Sequence, residues 1–314
     1  MKVVFMGTPE FAVPCLSKLH KSQIEVVSVI TAPDKPSGRG RKLGSSAVKD
    51  FAVENNIPLL QPSNLKDPEF LNNLKKLKAD LFVVVAFRML PKLVWEIPAL
   101  GTINLHASLL PNYRGAAPIN WAIINGESKT GLSTFFINEN IDTGAIIDQL
   151  EIDIDKDENL ASLHDRMSET GSKLLLETVQ KIFRKEISPK EQIKRSTDKD
   201  APKLNPENTR IDFGKSVLEV HNLIRGLSPY PGAYTFYKAK NEEALKVKIF
   251  RTEYEQRKDH DEAGFIRSND KDELLISCKD GFIKVMELQI QGKKRMKIKD
   301  LLNGFKFDLQ GQFF

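Results

Sequence analysis

Thr102-Ile103-Asn104-Leu105-His106 runs directly into Ala107-Ser108-Leu109-Leu110-Pro111. The first five residues read as a strand, in which side chains two apart share a face, so Asn104 and His106 project side by side while Leu105 turns to the core. Working outward, short apolar runs at 2–6, 24–30, 58–60, 81–86 and 132–137 read as further strands. Between and beside them, residues 9–21, 46–55, 69–78 and 117–125 carry apolar positions at helical spacing. This alternation is the pattern of successive βαβ units and predicts an α/β domain built on a Rossmann-like, mainly parallel sheet.

A long amphipathic helix over 159–185 is expected to close that domain. Residues 188–202 are polar, charged and bracketed by prolines, which suits a connector. After residue 205 a helix is expected over 216–225, then the turn-forming Pro229-Tyr230-Pro231-Gly232. Strand-like runs follow at 233–236, 244–250, 273–277 and 282–289, separated by Gly and Asp turns, as in a small β-barrel or sandwich. The organisation expected is one domain over 1–187, a linker over 188–206 and a smaller β-rich domain over 207–314. A chain of 314 residues can bury two such cores.

The composition, 40% hydrophobic and 28% charged, is that of an ordinary soluble protein. No apolar run approaches the length of a bilayer-spanning helix, and the N-terminus enters a strand at once, so neither export nor membrane anchoring is expected and a cytoplasmic location is. Cys15 and Cys278 are far apart and lack metal-ligand spacing, which argues for a reducing compartment and against a metal. The net charge of +5 is concentrated late in the chain, where residues 201–314 carry 21 Lys and Arg against 17 Asp and Glu. Lys293-Lys294-Arg295-Met296-Lys297-Ile298-Lys299 is a dense basic cluster there, with no acid before Asp300.

Pro33-Asp34-Lys35-Pro36-Ser37-Gly38-Arg39-Gly40-Arg41-Lys42-Leu43-Gly44 reads as a second basic stretch, a glycine-rich loop after the second strand. It lacks the Gly-Lys-Ser/Thr of a P-loop, yet its cations could touch a phosphate backbone. A solvated surface loop explains the segment by itself equally well. Gly7-Thr8-Pro9 lacks the three-glycine spacing of a dinucleotide site, so no nicotinamide cofactor is expected.

Asn104, His106 and the Asp142 of Asn140-Ile141-Asp142-Thr143-Gly144 form a polar set if the sheet brings Asp142 to the carboxyl end of the strand, where ligands of open α/β sheets bind. An amide offers fixed donors to a developing oxyanion, an imidazole donates a hydrogen bond or shuttles a proton, and a carboxylate supports and orients the imidazole. Neither cysteine lies near this set in sequence, and Ser108 sits in a Leu-Leu-Pro turn rather than a nucleophile elbow. The chemistry implied is direct acyl transfer to an external amine through a tetrahedral intermediate. His20, His164, His221 and His260 have no such company and read as structural.

The chain resembles the bacterial methionyl-tRNA formyltransferase family over essentially its whole length. The resemblance is carried by Phe5-Met-Gly7-Thr-Pro-Glu-Phe-Ala12, Pro33-Asp34 through Arg41-Lys-Leu43, and Asn104-Leu-His106-Ala-Ser-Leu-Leu-Pro111-Asn-Tyr-Arg-Gly-Ala-Ala-Pro118. Asp142-Thr-Gly144, Ala201-Pro-Lys203-Leu204, Arg210-Ile-Asp-Phe213 and Ser228-Pro-Tyr-Pro-Gly-Ala-Tyr234 extend it. It implies a Rossmann-like formyltransferase domain, a C-terminal OB-like barrel that helps hold tRNA, 10-formyltetrahydrofolate as formyl donor and no metal. By position, Asn104, His106 and Asp142 match the family's catalytic trio, and Ser108, Leu109, Leu110 and Pro111 its folate-binding turn.

The resemblance also implies that the loop around Arg39, with Arg41 and Lys42, enters the acceptor arm of initiator tRNA, and that Lys203 lies near it. Lys293, Lys294 and Arg295 are added to the tRNA contacts on electrostatic grounds alone. Ala86-Phe-Arg-Met-Leu-Pro91 is one residue shorter than the commoner family pattern, at a segment expected to border the pterin. The function expected is formylation of the α-amine of methionyl initiator tRNA by a monomer. The competing readings are a formyltransferase acting on a small amine, such as an amino sugar nucleotide or a purine precursor, and a tRNA-binding relative without catalysis.

Overall fold

The computed structural model describes residues 1–37, 42–193 and 195–314. It resolves into two compact units. The first is Met1–Gly115 with Thr130–Ile152 and His164–Asp200, and the second is Ala116–Lys129 with Asp153–Leu163 and Ala201–Phe314.

In the first unit seven strands form one sheet: β1 Lys2–Gly7, β2 Glu25–Ile30, β3 Leu59–Leu60, β4 Leu81–Val85, β5 Thr102–His106, β6 Lys129–Phe136 and β7 Ile146–Asp153. Their spatial order is β7-β6-β5-β4-β1-β2-β3. The pairs from β3 to β5 are parallel, whereas β5 and β6 run antiparallel. β1 and β4 place Val4 opposite Phe82 and Met6 opposite Val84. These four share one face, where Phe70 and Leu74 of the helix Pro68–Lys76 cover them. That helix starts where Asp67 accepts a hydrogen bond from the Glu69 N–H and Pro68 occupies the first turn.

The expected helix over 9–21 is divided, with a single 3-10 turn at Glu10–Ala12 before the α-helix Val13–His20. The strand expected at 81–86 stops at Val85, because Ala86 turns into the left-handed region with φ 49°. β7, which no expectation covered, alternates Leu150-Glu151-Ile152-Asp153 at its end and is half-buried or exposed over most of its length. The long helix Leu160–Arg184 lies close behind the sheet at Gly171, where a Cβ would come within 2.9 Å of Leu105 Cδ2.

The second unit is an antiparallel, barrel-like sheet of β8 Ala233–Lys238, β9 Leu245–Gln256, β10 Ile266–Ser268, β11 Leu274–Cys278, β12 Gly281–Ile290 and β13 Gln312–Phe313. The order is β10-β11-β12-β9-β8-β13, and a bridge between Phe265 and Gln312 joins its two ends. β10, β13 and the short strand Met296–Lys297, which pairs with β12, are strands that sequence spacing did not reveal, each being only two or three residues long. The helix Val217–Gly226 seats Val217, Val220 and Ile224 in the barrel core. It begins in a reciprocal capping box between Ser216 and Glu219. No helix among the described residues is long and apolar enough to cross a membrane.

Candidate active site

β5 is bonded on both edges, Asn104 lying opposite Phe135 and His106 opposite Ser133 of β6, with β4 on the other side. The strand delivers Asn104 and His106 at its carboxyl end. His106 Nε2 donates to the carbonyl oxygen of Tyr113 at 2.8 Å. This bond sets the ring orientation and fixes the tautomer of the neutral ring, since a carbonyl can only accept. His106 Nδ1 then faces Asp142 Oδ2 across 3.7 Å, with the two side chains 7% and 14% exposed. That gap exceeds a hydrogen bond, so Asp142 acts on the imidazole through charge. The ring is oriented by Tyr113, and not by Asp142 as the residue types alone suggested.

Asp142 is itself held by the Gly115 N–H, which donates to Oδ2 at 3.0 Å, and its backbone is left-handed with φ 53°. Asn104 Oδ1 is buried and has no partner among the described residues. A buried amide oxygen without a partner is costly unless a ligand completes it. The end of β5 therefore holds polar capacity that no group among the described residues uses.

The turn at 108–111 is fixed through its backbone. Ser133 Oγ donates to Ser108 O at 2.7 Å and accepts from Leu110 N at 3.0 Å. Gln149 Nε2 donates to Leu110 O at 3.0 Å and to Ser133 Oγ at 2.9 Å. Ser108 Oγ donates to Asn112 O at 2.6 Å, and the Leu110–Pro111 peptide is cis. Leu109 lies over Gly131, where a Cβ would come within 2.5 Å of its Cδ2. Ser108 and Leu110 are buried, while Leu109 and Pro111 are half-buried.

Sequence reasoning missed Tyr113, Gly115, Ser133, Gln149 and Gln192 as parts of this site. Tyr113 and Gly115 act through backbone atoms, which leave no mark in residue type. Ser133 and Gln149 are polar positions on strands, and their side chains go to a turn more than fifteen residues away in sequence.

Of the expected nucleic-acid contacts, Arg39 and Arg41 lie outside the described residues, and Lys42 opens the short strand Lys42–Gly44 paired with Lys35–Ser37. Lys203 is exposed in the second unit. Lys293 and Lys294 are exposed there too, Lys293 Nζ lying 4.7 Å from the Phe305 ring centroid. Arg295 is engaged, with Nη2 on Glu287 Oε2 at 2.6 Å and its guanidinium 4.2 Å from the Phe250 centroid. In the shortened segment, Arg88 Nη1 donates to Ser63 O at 2.9 Å and Nη2 to Pro62 O, while Met89 is exposed. No cluster of three or more His, Cys, Asp or Glu among the described residues is arranged to hold a metal ion.

Comparison with known proteins matches residues 1–179 to the family described as formyl transferase and 203–306 to the formyl transferase C-terminal domain. The chain belongs to the formyl transferase family. The methionyl-tRNA formyltransferase of Flavobacterium johnsoniae is 54% identical over 314 residues, spanning 100% of this chain and 99% of the relative. The methionyl-tRNA formyltransferase of Bacteroides thetaiotaomicron is 47% identical over 98% of this chain and 96% of its own length. Among solved formyl transferases, WlaRD, a sugar 3N-formyl transferase determined in the presence of dTDP and 5-N-formyl-THF, superposes with a TM-score of 0.66 at 23% identity, over 94% of this chain and 99% of that one. At that identity the likeness establishes the shared fold. Both sheets described above are thus formyl transferase architecture.

Proposed function

We propose that this formyl transferase moves the formyl group of 10-formyltetrahydrofolate to the α-amine of methionine carried by initiator tRNA. The observation that carries the proposal is the similarity to methionyl-tRNA formyltransferases, which runs through both units at up to 54% identity. It selects an acceptor that β5 and its neighbours could not select alone.

The unprotonated amine attacks the formyl carbon, and a nitrogen–carbon bond forms as the carbonyl oxygen becomes anionic. Asn104 donates to that oxygen, and His106 does so from Nδ1 as the imidazolium, because Nε2–H is committed to Tyr113 and only the doubly protonated ring donates from both nitrogens. Collapse of the tetrahedral intermediate breaks the bond to N10 of the folate. The proton lost by the amine is taken up by Asp142, whose charge also supports the His106 imidazolium, and is passed to N10 of the departing tetrahydrofolate. The turn at 108–111 borders the folate, its backbone presenting a fixed shape through Ser133 and Gln149. Arg39, Arg41, Lys42, Lys203, Lys293, Lys294 and Arg295 are assigned to the tRNA, and no metal takes part.

The division into a catalytic domain over 1–187, a linker over 188–206 and a tRNA-holding domain over 207–314 belongs to the same proposal. It is supported by the separate family matches at 1–179 and 203–306. So does action as a monomer in the cytoplasm.

The test mixes purified protein, 10-formyltetrahydrofolate and methionyl initiator tRNA, with methionyl elongator tRNA and free methionine as controls. Formyl-methionyl-tRNA should form from the initiator species, and binding should weaken steeply with added salt. No product under those conditions overturns the proposal, and transfer to a small amine alone would point to a different acceptor.

A further inference from the structure

We infer that Gln192 is a positioning residue for the transfer reaction, acting on Asp142 from both sides; the inference rests on the catalytic reading of Asp142 given above. Gln192 lies in the polar, proline-bracketed stretch that sequence reading treats as a connector. It is half-buried between exposed Glu191 and Ile193, the latter 77% exposed. The segment is brought there by a two-bond bridge, in which Ile146 N donates to Lys190 O and Lys190 N to Ile146 O, each at 2.8 Å. Two residues on in an extended chain, the Gln192 side chain can reach the loop that precedes β7.

Its carboxamide is fully used. Nε2 donates to Asp142 O at 3.0 Å and to Gly144 O at 2.8 Å. Oε1 accepts from Arg114 Nε at 3.1 Å and Arg114 Nη2 at 2.6 Å. Only a planar group with two donors on one atom and two lone pairs on the other can make these four bonds, which an amide does and a carboxylate or ammonium does not.

The partners matter more than their number. Asp142 Oδ2 is held by the Gly115 N–H, and Gly115 follows Arg114 directly. Gln192 therefore grips Asp142 by its backbone and, through Arg114, the residue next to the one that holds its carboxylate. Tyr113, on the other side of Arg114, carries the carbonyl that orients His106. One side chain thus ties together the supports of both Asp142 and His106, and with them the 3.7 Å between Nδ1 and Oδ2. Asp142 in its left-handed conformation has no intrinsic preference for that place. Gln192 holds two of the loop's carbonyls, alongside the Gly115 N–H on Oδ2 and the Phe136 N–H on the carbonyl of Ala145.

The test is Gln192→Met, near in volume and unable to make any of the four bonds, assayed for formyl transfer to methionyl initiator tRNA. The unchanged protein is assayed first: if it makes no product, the proposed function fails and Gln192 is not in question. With an active parent, kcat should fall between about 10- and 100-fold, the scale of a misplacement near 1 Å. KM for either substrate should change by less than about threefold, because binding is not what Gln192 serves. Ile193→Ala should turn over as the parent does.

The decisive readout is coupling. In an Asp142→Asn background, adding Gln192→Met should lower the residual rate by a clearly smaller factor than in the parent, about threefold or less, since one of the two groups it positions has already lost its charge. A residue that merely stiffened the fold would lower the rate by the same factor in both backgrounds. Equal losses in both, or parental kcat in Gln192→Met, overturn the inference. Should Gln192→Met fail to fold, Gln192→Glu keeps the Arg114 bonds while turning an oxygen toward the two carbonyls, and the same coupling comparison applies.

Discussion

His106 and Asp142 approach within 3.7 Å without a hydrogen bond, and each is held instead by a different end of one tripeptide, His106 by the Tyr113 carbonyl and Asp142 by the Gly115 N–H. The imidazole and carboxylate are therefore spaced by the backbone of Tyr113-Arg114-Gly115. Charge can act across that gap, and a proton or a substrate group can enter it.

Removing the charge while keeping the shape isolates its role. Asp142→Asn retains an oxygen for the Gly115 N–H, so folding and tRNA binding should be close to unchanged. Turnover should drop about a hundredfold or more, the usual range for a positioned acid–base partner. Single-turnover formylation together with filter binding measures both, and turnover within a few-fold of the parent would remove Asp142 from the mechanism.

Gly144 closes the loop after Asp142 against β6. A Cβ there would lie 1.7 Å from Phe136 O, a backbone atom that cannot swing aside. Gly144→Ala should destabilise the first unit by about 3 kcal/mol. Gly304, with nothing within 4 Å of its Cβ position, supplies the control, and Gly304→Ala should be within about 0.5 kcal/mol of the parent in urea unfolding.

His221 is buried in the second unit, with Nδ1 against Thr252 Oγ1 at 2.9 Å and Nε2 without a partner among the described residues. Burial pushes its pKa down to about 4, helped by Arg225 and Lys156 and opposed by Asp157. The folded state thus disfavours the proton that the unfolded chain takes up near pH 6.5. Its contribution to stability is present above pH 6.5 and is lost as pH falls toward 4, on the order of 3 kcal/mol over that window. Urea midpoints across that range should fall less steeply in His221→Phe than in the parent, and parallel curves would contradict this account.

Lys294 and Arg295 are neighbours in the basic cluster with different surroundings. Lys294 is exposed, with no carboxylate partner among the described residues, whereas Arg295 is tied to Glu287 and packed on Phe250. Lys294→Ala should weaken tRNA binding and lower the salt slope by about one, leaving thermal stability unchanged. Arg295→Ala should also cost the barrel up to about 1 kcal/mol. Affinity measured over a salt series, alongside melting curves, separates the two.

The parallel sheet was legible because its strands are buried on both faces: Leu81–Val85 is buried throughout, and an apolar run has little else to be. Asn104 and His106 stood out because polar residues on such a strand need a reason. β7 was missed although Leu150-Glu151-Ile152-Asp153 alternates as a half-buried strand does, while β10 and β13 are too short to show a period. The supports of the site were invisible for a different reason. Tyr113 and Gly115 work through backbone atoms, and Gln192 sits among charged residues where one more polar side chain raises no signal.

The reversal of strand direction at β5 has a consequence for how the site breathes. Parallel to β4 and antiparallel to β6, β5 cannot release either edge without unzipping a ladder, so its amides should be among the slowest to exchange with solvent. The loop bearing Asp142 is secured by a handful of hydrogen bonds and should open at far lower cost. The oxyanion-binding half would then keep its shape through every turnover, while the carboxylate half can disengage and return between successive substrates.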